Sequence, residues 1–386
     1  MSGLRVAICA GETSGDLLGA ALMQALRERA PEIEFRGVAG PRMRAAGCEA
    51  LAGIEDLSVM GLFELLPHLP RLLSLRARLA RELIAWQPDV FIGVDYPGFN
   101  LGLAARLKAR GIRTVQYVSP QVWAWRQGRV RTMAKTLDLV LCLLPFEPAF
   151  YARHAMRAEF IGHPLADQIP VASQLASARA SLGLAADAEV LALLPGSRLA
   201  EIERLGPEFL SAARWLRERR PQLTLIAPMA SPAAHRAFSA LGAEAAGVQL
   251  LDGQARLALQ AADVALITSG TATLEALLCG CPMVVAYRAS RVSAWLVFTF
   301  KLVRLPFFSL PNLLTNEALV PEFLQDQVKG AALGAAVLEQ LTHPEQAVQR
   351  RARFAAIHRQ LQQDGAKRAA EHILALLTDT RAGGSP

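Results

Sequence analysis

The sequence is poor in the features that mark membrane-spanning, metal-binding and dinucleotide-binding chains. The apolar run at residues 294–300 ends at Lys301, well short of the roughly 20 residues that cross a bilayer. There is no Asp-x-Asp pair, the cysteines show no paired spacing and the histidines are dispersed, so we expect no dedicated metal site. No Gly-x-Gly-x-x-Gly follows a strand-like run, which argues against a dinucleotide cofactor. We therefore expect no metal and no other cofactor.

Cysteine and lysine are scarce as well. The five cysteines lie mostly in apolar runs, so we expect buried free thiols. Only 5 lysines accompany 36 arginines, and the net charge is +7. A basic surface suits nucleic acid, anionic lipid or a phosphorylated substrate, but the arginines are scattered without interleaved aromatics, which argues against nucleic acid. Strand-like sequence begins by Leu4 and leaves no room for a signal peptide, so we expect a cytoplasmic protein.

Strand-like runs alternate with helical patterns along the whole chain, which at 386 residues is too long for one ordinary core. The runs are apolar throughout, as expected for parallel strands that are buried on both faces. The pattern predicts two Rossmann-like, doubly wound α/β domains that face each other across a cleft. We expect the first domain at residues 1–165 and the second at 166–344. We expect a C-terminal helix at about 345–380, which can return to the first domain and pack on it. The strand-like runs are 4–10, 34–40, 90–96, 113–119, 139–146, 158–163, 190–197, 222–229, 248–253, 264–270 and 282–288.

The second half opens with a loop suited to phosphate. In LLPGSR a strand runs into Gly196, Ser197 and Arg198 at the start of a helix. Free amides and the helix dipole attract anions there, and an arginine adds a bidentate charge. The alternative is that Ser197 only caps the helix, with support from Glu201.

A second such loop follows in the same half. In ITSGTATLE a strand runs into Ser269, Gly270 and Thr271, and Glu275 lies one helical turn later. A carboxylate at that depth can accept both hydroxyls of a ribose while phosphates sit on the loop. The alternative is an ordinary capped helix.

The first half carries acids in the corresponding places. Asp95 follows a buried strand beside Pro97 and Gly98, a position suited to a general base, and capping of the next turn is the alternative. The opening loop GETSGD places Glu12, Ser14 and Asp16 where a phosphate would be repelled. We therefore expect Glu12 and Asp16 to meet sugar hydroxyls or to help set the charge around Asp95, and not to hold an anion.

A third loop of the first half, YVSPQVWAWR, is rich in aromatics. Trp123 and Trp125 lie between Ser119 and Arg126, an arrangement that suits a sugar face or an acyl chain, with core packing as the alternative. His163, after the run EFIG, is either a residue of the cleft or a histidine of the linker.

Two segments combine apolar and basic residues, at 60–84 and 293–314. Such segments lie in a membrane interface or hold acyl chains, and a core helix or a dimer contact is the alternative. Both in one basic chain favour contact with anionic lipid. The candidate membrane or acyl residues are Phe63, Leu65, Leu66, Leu69, Leu72, Leu73, Trp295, Phe298 and Phe300.

Eight motifs, taken in order, resemble one family. GETSGD, VAGPRM, YVSPQVWAWR, FIGHPLAD, LLPGSRLAEI, SGTATLE, CPMVVAYR and SLPNLL resemble lipid-A-disaccharide synthase, which is glycosyltransferase family 19 and has the GT-B fold. The resemblance covers residue 4 to about residue 325. Around Tyr96, Gly98 and Pro164 the usual pattern of the family varies, and no function is assigned to those side chains.

The resemblance implies a reaction and partners. UDP-2,3-diacylglucosamine would donate its sugar, with inversion, to the 6-hydroxyl of 2,3-diacylglucosamine 1-phosphate, giving a β-1,6-linked disaccharide 1-phosphate and UDP. The family also implies a peripheral position on the cytoplasmic face of the inner membrane, a homodimer and no metal at the leaving group. A UDP-sugar epimerase and a non-catalytic lipid-binding scaffold are the rival functions.

The resemblance also implies residue roles. Asp95 would be the base, and Glu275 would hold the ribose. Arg198 would bind the diphosphate together with the amides of Gly196, Ser197, Gly270 and Thr271, in a loop that includes Ser269. The candidate acceptor residues are Glu12, Ser14, Asp16, Ser119, Trp123, Arg126, His163 and Asn312.

Overall fold

The computed structural model describes residues 3–57, 65–124, 127–289 and 306–382, with side chains left out at 65–68 and 379–382. The chain divides into two compact units. The first comprises Met1–Asp167 and Leu361–Pro386, and the second comprises Gln168–Gln360. Because the chain returns to its first unit at the end, the first unit is built from two separate stretches of sequence.

The described part of the first unit contains a seven-stranded parallel sheet in the order β3-β2-β1-β4-β5-β6-β7. Its strands are β1 Arg5–Ala10, β2 Glu34–Ala39, β3 Cys48–Gly53, β4 Val90–Val94, β5 Arg113–Tyr117, β6 Leu139–Cys142 and β7 Ala158–Phe160. Its helices are α1 Thr13–Arg29, α2 Pro41–Ala45, α3 Leu65–Trp86, α4 Pro97–Lys108, α5 Val130–Thr136 and α6 Glu147–Ala152, and α7 Pro164–Gln168 ends the first stretch.

Successive residues of β1 enter two different cores, as the alternation of side chains along a strand requires. Val6 and Ile8 pack with residues of α1, whereas Ala7 and Cys9 pack with residues of α3 and α4. The sheet is therefore covered on both faces, which explains why its central strands are apolar throughout.

The described part of the second unit contains a six-stranded parallel sheet in the order β10-β9-β8-β11-β12-β13. Its strands are β8 Val190–Leu194, β9 Thr224–Met229, β10 Val248–Asp252, β11 Val264–Thr268, β12 Met283–Tyr287 and β13 Glu322–Leu324. Its helices are α8 Leu175–Ser181, α9 Leu199–Arg219, α10 Pro232–Ala240, α11 Ala255–Ala261, α12 Thr271–Leu278, α13 Leu310–Thr315, α14 Gly330–Thr342 and α15 Pro344–Leu361. The last helix, α16 Gly365–Ala382, lies in the first unit.

The tail differs from the single helix that the sequence suggested. It forms two helices: α15 lies almost entirely in the second unit, and α16 packs on α1 in the first. Gln363 and Asp364 lie between the two helices and interrupt the helical conformation, and Asp364 has a positive φ of 55°. Only the second of the two helices packs back on the first unit.

Two strands, β3 and β13, had no predicted counterpart. Both are edge strands, and β3 exposes Glu49. An edge strand is not covered on every side, so it needs no continuous apolar run.

The five cysteines are free, and Cys9, Cys48, Cys142 and Cys281 are buried while Cys279 is half-buried, which confirms the expectation of buried free thiols. Among the described residues, no helix has both the length and the apolar character needed to cross a membrane.

Candidate active site

A strained turn follows β4 and carries Asp95. Asp95 and Tyr96 have φ angles of 52° and 43°, and two successive non-glycine residues in this left-handed region are uncommon. Such strain persists only where the surroundings enforce it, and it clusters at functional sites. The turn leaves Asp95 half-buried at the carboxyl end of the strand.

Two buried amide side chains hold the backbone of Asp95. Its carbonyl oxygen accepts hydrogen bonds from Asn100 Nδ2 at 2.8 Å and from Gln116 Nε2 at 3.0 Å. Its amide donates to the carbonyl of Tyr117 at 2.8 Å. A Cβ atom at Gly93 would lie 2.8 Å from Asn100 Cβ, so the glycine makes room for this arrangement. Neither amide was predicted as a site residue, although a glutamine inside the apolar strand TVQYV was a usable signal.

The opening loop lies beside this turn. A Cβ atom at Gly11 would be 2.4 Å from Tyr96 Cγ, so the loop and the tyrosine ring are in direct contact. Burial and the nearby Glu12 carboxylate raise the pKa of Tyr96, whose hydroxyl donates to the carbonyl of Leu57 at 3.1 Å. Glu12 and Ser14 are exposed. The structure thus brings the loops of Glu12 and Asp95 together.

Asp16 has a structural role instead of facing substrate. Its buried carboxylate accepts hydrogen bonds from the amides of Arg42 at 2.9 Å and Met43 at 3.0 Å. These amides belong to the first turn of α2, which has no cap of its own. The carboxylate satisfies donors that the helix leaves unpaired, so it is not free for sugar hydroxyls.

Asn312 in the second unit is also fully engaged. Its Nδ2 donates to the carbonyl of Val320 and to Glu322 Oε1, both at 2.9 Å, and its Oδ1 accepts from the amide of Val320 at 2.9 Å. The side chain is buried. It ties α13 to the segment that leads into β13, and it does not present a free group to an acceptor.

The aromatic loop packs into the first unit. Trp123 is buried, stands edge-on to Phe146 at 4.9 Å and donates from Nε1 to Glu147 Oε1 at 3.0 Å. Buried Ser119 shares a hydrogen bond of 2.9 Å with the Tyr151 hydroxyl. Core packing, the alternative considered for the tryptophans, therefore describes Trp123, and Ser119 is buried as well. Trp125 and Arg126 lie outside the described residues.

Glu147 is the buried acid of this cluster. Its second oxygen accepts from the amide of Leu144 at 2.9 Å, and burial raises the pKa of the carboxyl to about 7.

His163 lies outside this cluster, where the chain leaves β7. Burial lowers the pKa of His163 to about 4, its Nδ1 accepts from the amide of Leu165 at 3.2 Å, and its amide donates to the carbonyl of Leu361 at 2.8 Å. It is a neutral histidine within the join between the two stretches of the first unit.

The two phosphate-capable loops differ in a way that the sequence does not show. After β8, Glu201 Oε2 accepts from the amides of Ser197 at 3.0 Å and Arg198 at 3.3 Å. The carboxylate therefore occupies the position of an anion. The helix is capped by Glu201 from within, with Arg198 at the N-cap position, and not by the Ser197 hydroxyl that the alternative proposed. Gly196 has a φ of 134°, and a Cβ there would lie 2.5 Å from Glu201 Cβ. The side chain of Arg198 is 84% exposed.

The loop after β11 keeps its amides free. Gly270 and Thr271 are exposed at the N-terminus of α12, and within the described part of the chain their N–H groups donate no hydrogen bond. Thr273 Oγ1 donates to the carbonyl of Gly270 at 2.8 Å, and Ser269 Oγ donates to the carbonyl of Phe308 at 2.8 Å, which fixes the loop. Glu275 is half-buried and accepts from Arg256 Nε at 3.2 Å. Free amides at a helix N-terminus suit a phosphate.

The candidate membrane residues are described only in part. On α3, Leu69 and Leu73 are 43% and 42% exposed, whereas Leu72 is buried in the core. Phe63, Trp295, Phe298 and Phe300, and the side chains of Leu65 and Leu66, lie outside the described residues. The helix thus presents both an apolar surface and a core face.

Two parallel-sheet Rossmann-like units define the class, which is the GT-B fold. HepE from Anabaena, solved with UDP and glucose, has this fold at a TM-score of 0.55 with 14% identity, over 96% of this chain and 99% of its own. UDP-GlcNAc 2-epimerase from Neisseria meningitidis, solved with UDP-GlcNAc, matches at 0.59 with 11% identity, over 97% and 100%. At these identities the likeness shows the fold alone.

The family is shown by the sequence. The family model for lipid-A-disaccharide synthetase matches residues 6–376. The lipid-A-disaccharide synthase of Chromohalobacter salexigens is 51% identical over 98% of each chain. The chain therefore belongs to the lipid-A-disaccharide synthase family and is a glycosyltransferase. The family, fold and enzyme class that the motifs predicted are confirmed.

Proposed function

We propose that the chain transfers 2,3-diacylglucosamine from UDP-2,3-diacylglucosamine to the 6-hydroxyl of 2,3-diacylglucosamine 1-phosphate. The observation that carries the residue assignment is the strained, amide-anchored turn of Asp95. It holds a carboxylate at the carboxyl end of a parallel strand, where α/β sheets bind ligands, and beside a loop whose exposed Glu12 and Ser14 suit hydroxyl groups.

The reaction is one displacement at the anomeric carbon of the donor. Asp95 accepts the proton of the acceptor 6-hydroxyl as the new bond from that oxygen to the anomeric carbon forms. The bond from the anomeric carbon to the diphosphate oxygen breaks on the opposite face, so the product is the inverted β-1,6 disaccharide 1-phosphate. The electron pair leaves with UDP.

The leaving diphosphate is assigned to the second unit. The guanidinium of Arg198 is exposed, and the amides of Gly270 and Thr271 donate no hydrogen bond to any residue that the structure describes. Donors aimed at developing negative charge contribute most of the stabilisation in such steps. Glu275 is assigned to the ribose, and it exchanges its Arg256 contact for the hydroxyls. The UDP and UDP-GlcNAc in the two solved structures of the same fold support a nucleotide-sugar donor.

A UDP-release assay tests this proposal, with each acylated glucosamine substrate omitted in turn. We expect release only when both are present. Release from the UDP-sugar alone, or conversion of it without the acceptor, would identify an epimerase or hydrolase. No release from any mixture would favour a lipid-binding scaffold.

Substitution of Asp95 and Arg198 tests the roles separately. Asp95→Ala should lower turnover by about 10²–10⁴-fold, the usual contribution of a general base, and leave UDP affinity unchanged. Arg198→Ala should weaken UDP binding and lower the rate by about 10²–10³-fold. Near-normal turnover of Asp95→Ala would remove the base assignment, and unchanged UDP affinity of Arg198→Ala would remove the diphosphate assignment.

Peripheral membrane contact on the cytoplasmic face and a homodimer complete the proposal. The exposed Leu69 and Leu73 on α3 support the first, and the second rests on the family resemblance. Leu69→Ser with Leu73→Ser should reduce sedimentation with lipid vesicles, whereas unchanged sedimentation would mean that these leucines do not touch lipid.

Light scattering tests the homodimer. The full chain should give twice the mass of 41.6 kDa, and a single-chain mass would exclude the dimer.

A further inference from the structure

The guanidinium of Arg76 on α3 lies against the bare backbone of α4 at Gly102. A Cβ atom at Gly102 would be 2.1 Å from Arg76 Nη1 and 2.7 Å from its Cζ. The glycine therefore forms a seat that any side chain would fill. Arg76 Nε is buried there and has no hydrogen-bond partner in the part of the chain that the structure describes, although buried donors are almost always paired.

A second arginine converges on the same seat. Arg106 lies four residues after Gly102 on α4, so the two positions share one face of the helix. Side chains of a helix lean toward its N-terminus, which directs Arg106 over Gly102. Consistently, burial and the charge of Arg106 both lower the pKa of Arg76. Among the described residues, no carboxylate forms a salt bridge with either arginine.

The surroundings indicate what kind of anion fits. Leu69, Leu73 and Arg76 share one face of α3. Further along that face Ala80 and Leu83 are buried in the core, while Leu69 and Leu73 are exposed. Arg76 thus lies where the apolar stripe of α3 passes from the core to the surface. A ligand that carries both an anionic group and apolar chains would contact the arginine and the exposed leucines together.

We propose that Arg76 and Arg106, on the seat formed by Gly102, bind the phosphate ester of a lipid. A guanidinium can donate two parallel hydrogen bonds to phosphate oxygens, and two such groups supply two positive charges to one phosphate. The inference deepens the proposed lipid contact, because it names the group that α3 recognises. The phosphate comes either from a membrane phospholipid or from the 1-phosphate of the acceptor.

The decisive variant is Gly102→Ala in the full chain. It changes no charge and raises helix propensity, so it should fold, but its Cβ displaces the Arg76 guanidinium. Gly128→Ala is the matched control, because a Cβ there meets nothing within 4 Å. Arg76→Ala is compared with Arg81→Ala, which removes an exposed arginine of the same helix and reports the diffuse electrostatic contribution.

The first arm measures binding to phosphatidylcholine vesicles with and without phosphatidylglycerol. If the phosphate belongs to the membrane, Gly102→Ala and Arg76→Ala should both weaken binding to the anionic vesicles by about fivefold or more. The loss of vesicle binding should be larger for Arg76→Ala than for Arg81→Ala, and Gly128→Ala should bind as the unaltered protein does.

The second arm measures UDP release in neutral detergent micelles. If the phosphate belongs to the acceptor, Gly102→Ala and Arg76→Ala should raise the KM for the acceptor and leave vesicle binding unchanged. If Gly102→Ala and Arg76→Ala change neither vesicle binding nor the KM for the acceptor, the phosphate site is overturned. It is also overturned if Arg76→Ala and Arg81→Ala lose equal amounts of vesicle binding while Gly102→Ala loses none. Normal UDP release alongside such a result would leave the proposed reaction intact, because the unaltered enzyme tests that reaction separately.

Discussion

At the scale of single residues, two buried amide side chains anchor the turn that carries the proposed base. Asn100 and Gln116 donate to the carbonyl of Asp95 and are themselves buried. Both amide nitrogens donate to backbone carbonyls around the turn, so we class them as positioning residues for the proposed base. Their loss should let the turn relax from its left-handed conformation.

Asn100→Ala should lower kcat by about 10²-fold, the scale expected when a reacting group moves by roughly an ångström. The KM for the UDP-sugar should change little, because the second unit is untouched. The double variant with Asp95→Ala should be no slower than Asp95→Ala alone, since residues that act as one unit are not additive. A further, multiplicative loss in the double variant would show that Asn100 acts only through general stability. Gln116→Ala provides a second, independent test of the same coupling.

Glu147 should give the protein a measurable pH dependence. Burial raises its folded-state pKa to about 7 from an ordinary value of 4.5, so the protonated form is the one that stabilises the fold. That stabilisation is complete below about pH 4.5 and is lost as the pH rises through about 7.

The unfolding free energy should therefore fall by an amount on the order of 1–3 kcal/mol between about pH 4.5 and pH 8 because of this group. Glu147→Gln should remove that part of the slope. Denaturant unfolding of both proteins across this range measures it. Identical slopes would show that folding leaves the pKa of Glu147 at its ordinary value.

At the scale of elements, the two loops of the second unit show how strand and helix ends set the chemistry. Both follow buried parallel strands and both start helices. Glu201 accepts from the amides of one loop, whereas the amides of Gly270 and Thr271 in the other have no acceptor among the described residues. A diphosphate that approaches the first loop meets a carboxylate already in place.

Glu201→Ala should lower stability by about 1 kcal/mol, the usual value of a lost helix cap. It should also tighten UDP binding, because the amides of Ser197 and Arg198 become free and a negative charge is removed from beside the diphosphate. Calorimetric titration with UDP measures the second effect, with the exposed Glu203→Ala on the same helix as the control. Weaker binding by Glu201→Ala would mean that the carboxylate belongs to the nucleotide site.

The same comparison shows what the sequence could supply. The central strands and the place of Asp95 were predictable, because a continuous apolar run followed by an acid is a local pattern. The structural role of Asp16 was not predictable, because its hydrogen-bond partners are amides of a helix that begins 25 residues later. Glu201 was equally ambiguous, since a helix start that suits phosphate also suits the helix's own carboxylate. Such choices depend on packing between distant segments.

At the scale of the whole molecule, the first unit depends on the end of the chain. Helix α16 contributes Ala369, Ala370, Ile373 and Leu376 to the core around β1. Asp167, at the end of the first stretch, accepts from the amides of Gln363, Asp364 and Gly365 at 2.9–3.0 Å. Residues nearly 200 positions apart thus close one domain.

Ile373→Ala should therefore destabilise the first unit by about 2–5 kcal/mol, the cost of a large-to-small change in a core. Hydrogen exchange should quicken at the amides of β1, β2 and β4 and stay unchanged in β8 and β11, because separate units open separately. Val348→Ala is the control, since Val348 is exposed on α15 in the second unit and should alter neither set. Faster exchange in both sheets of Ile373→Ala would show that the two units unfold as one, and that the closing helix stabilises the whole chain instead of the unit it completes.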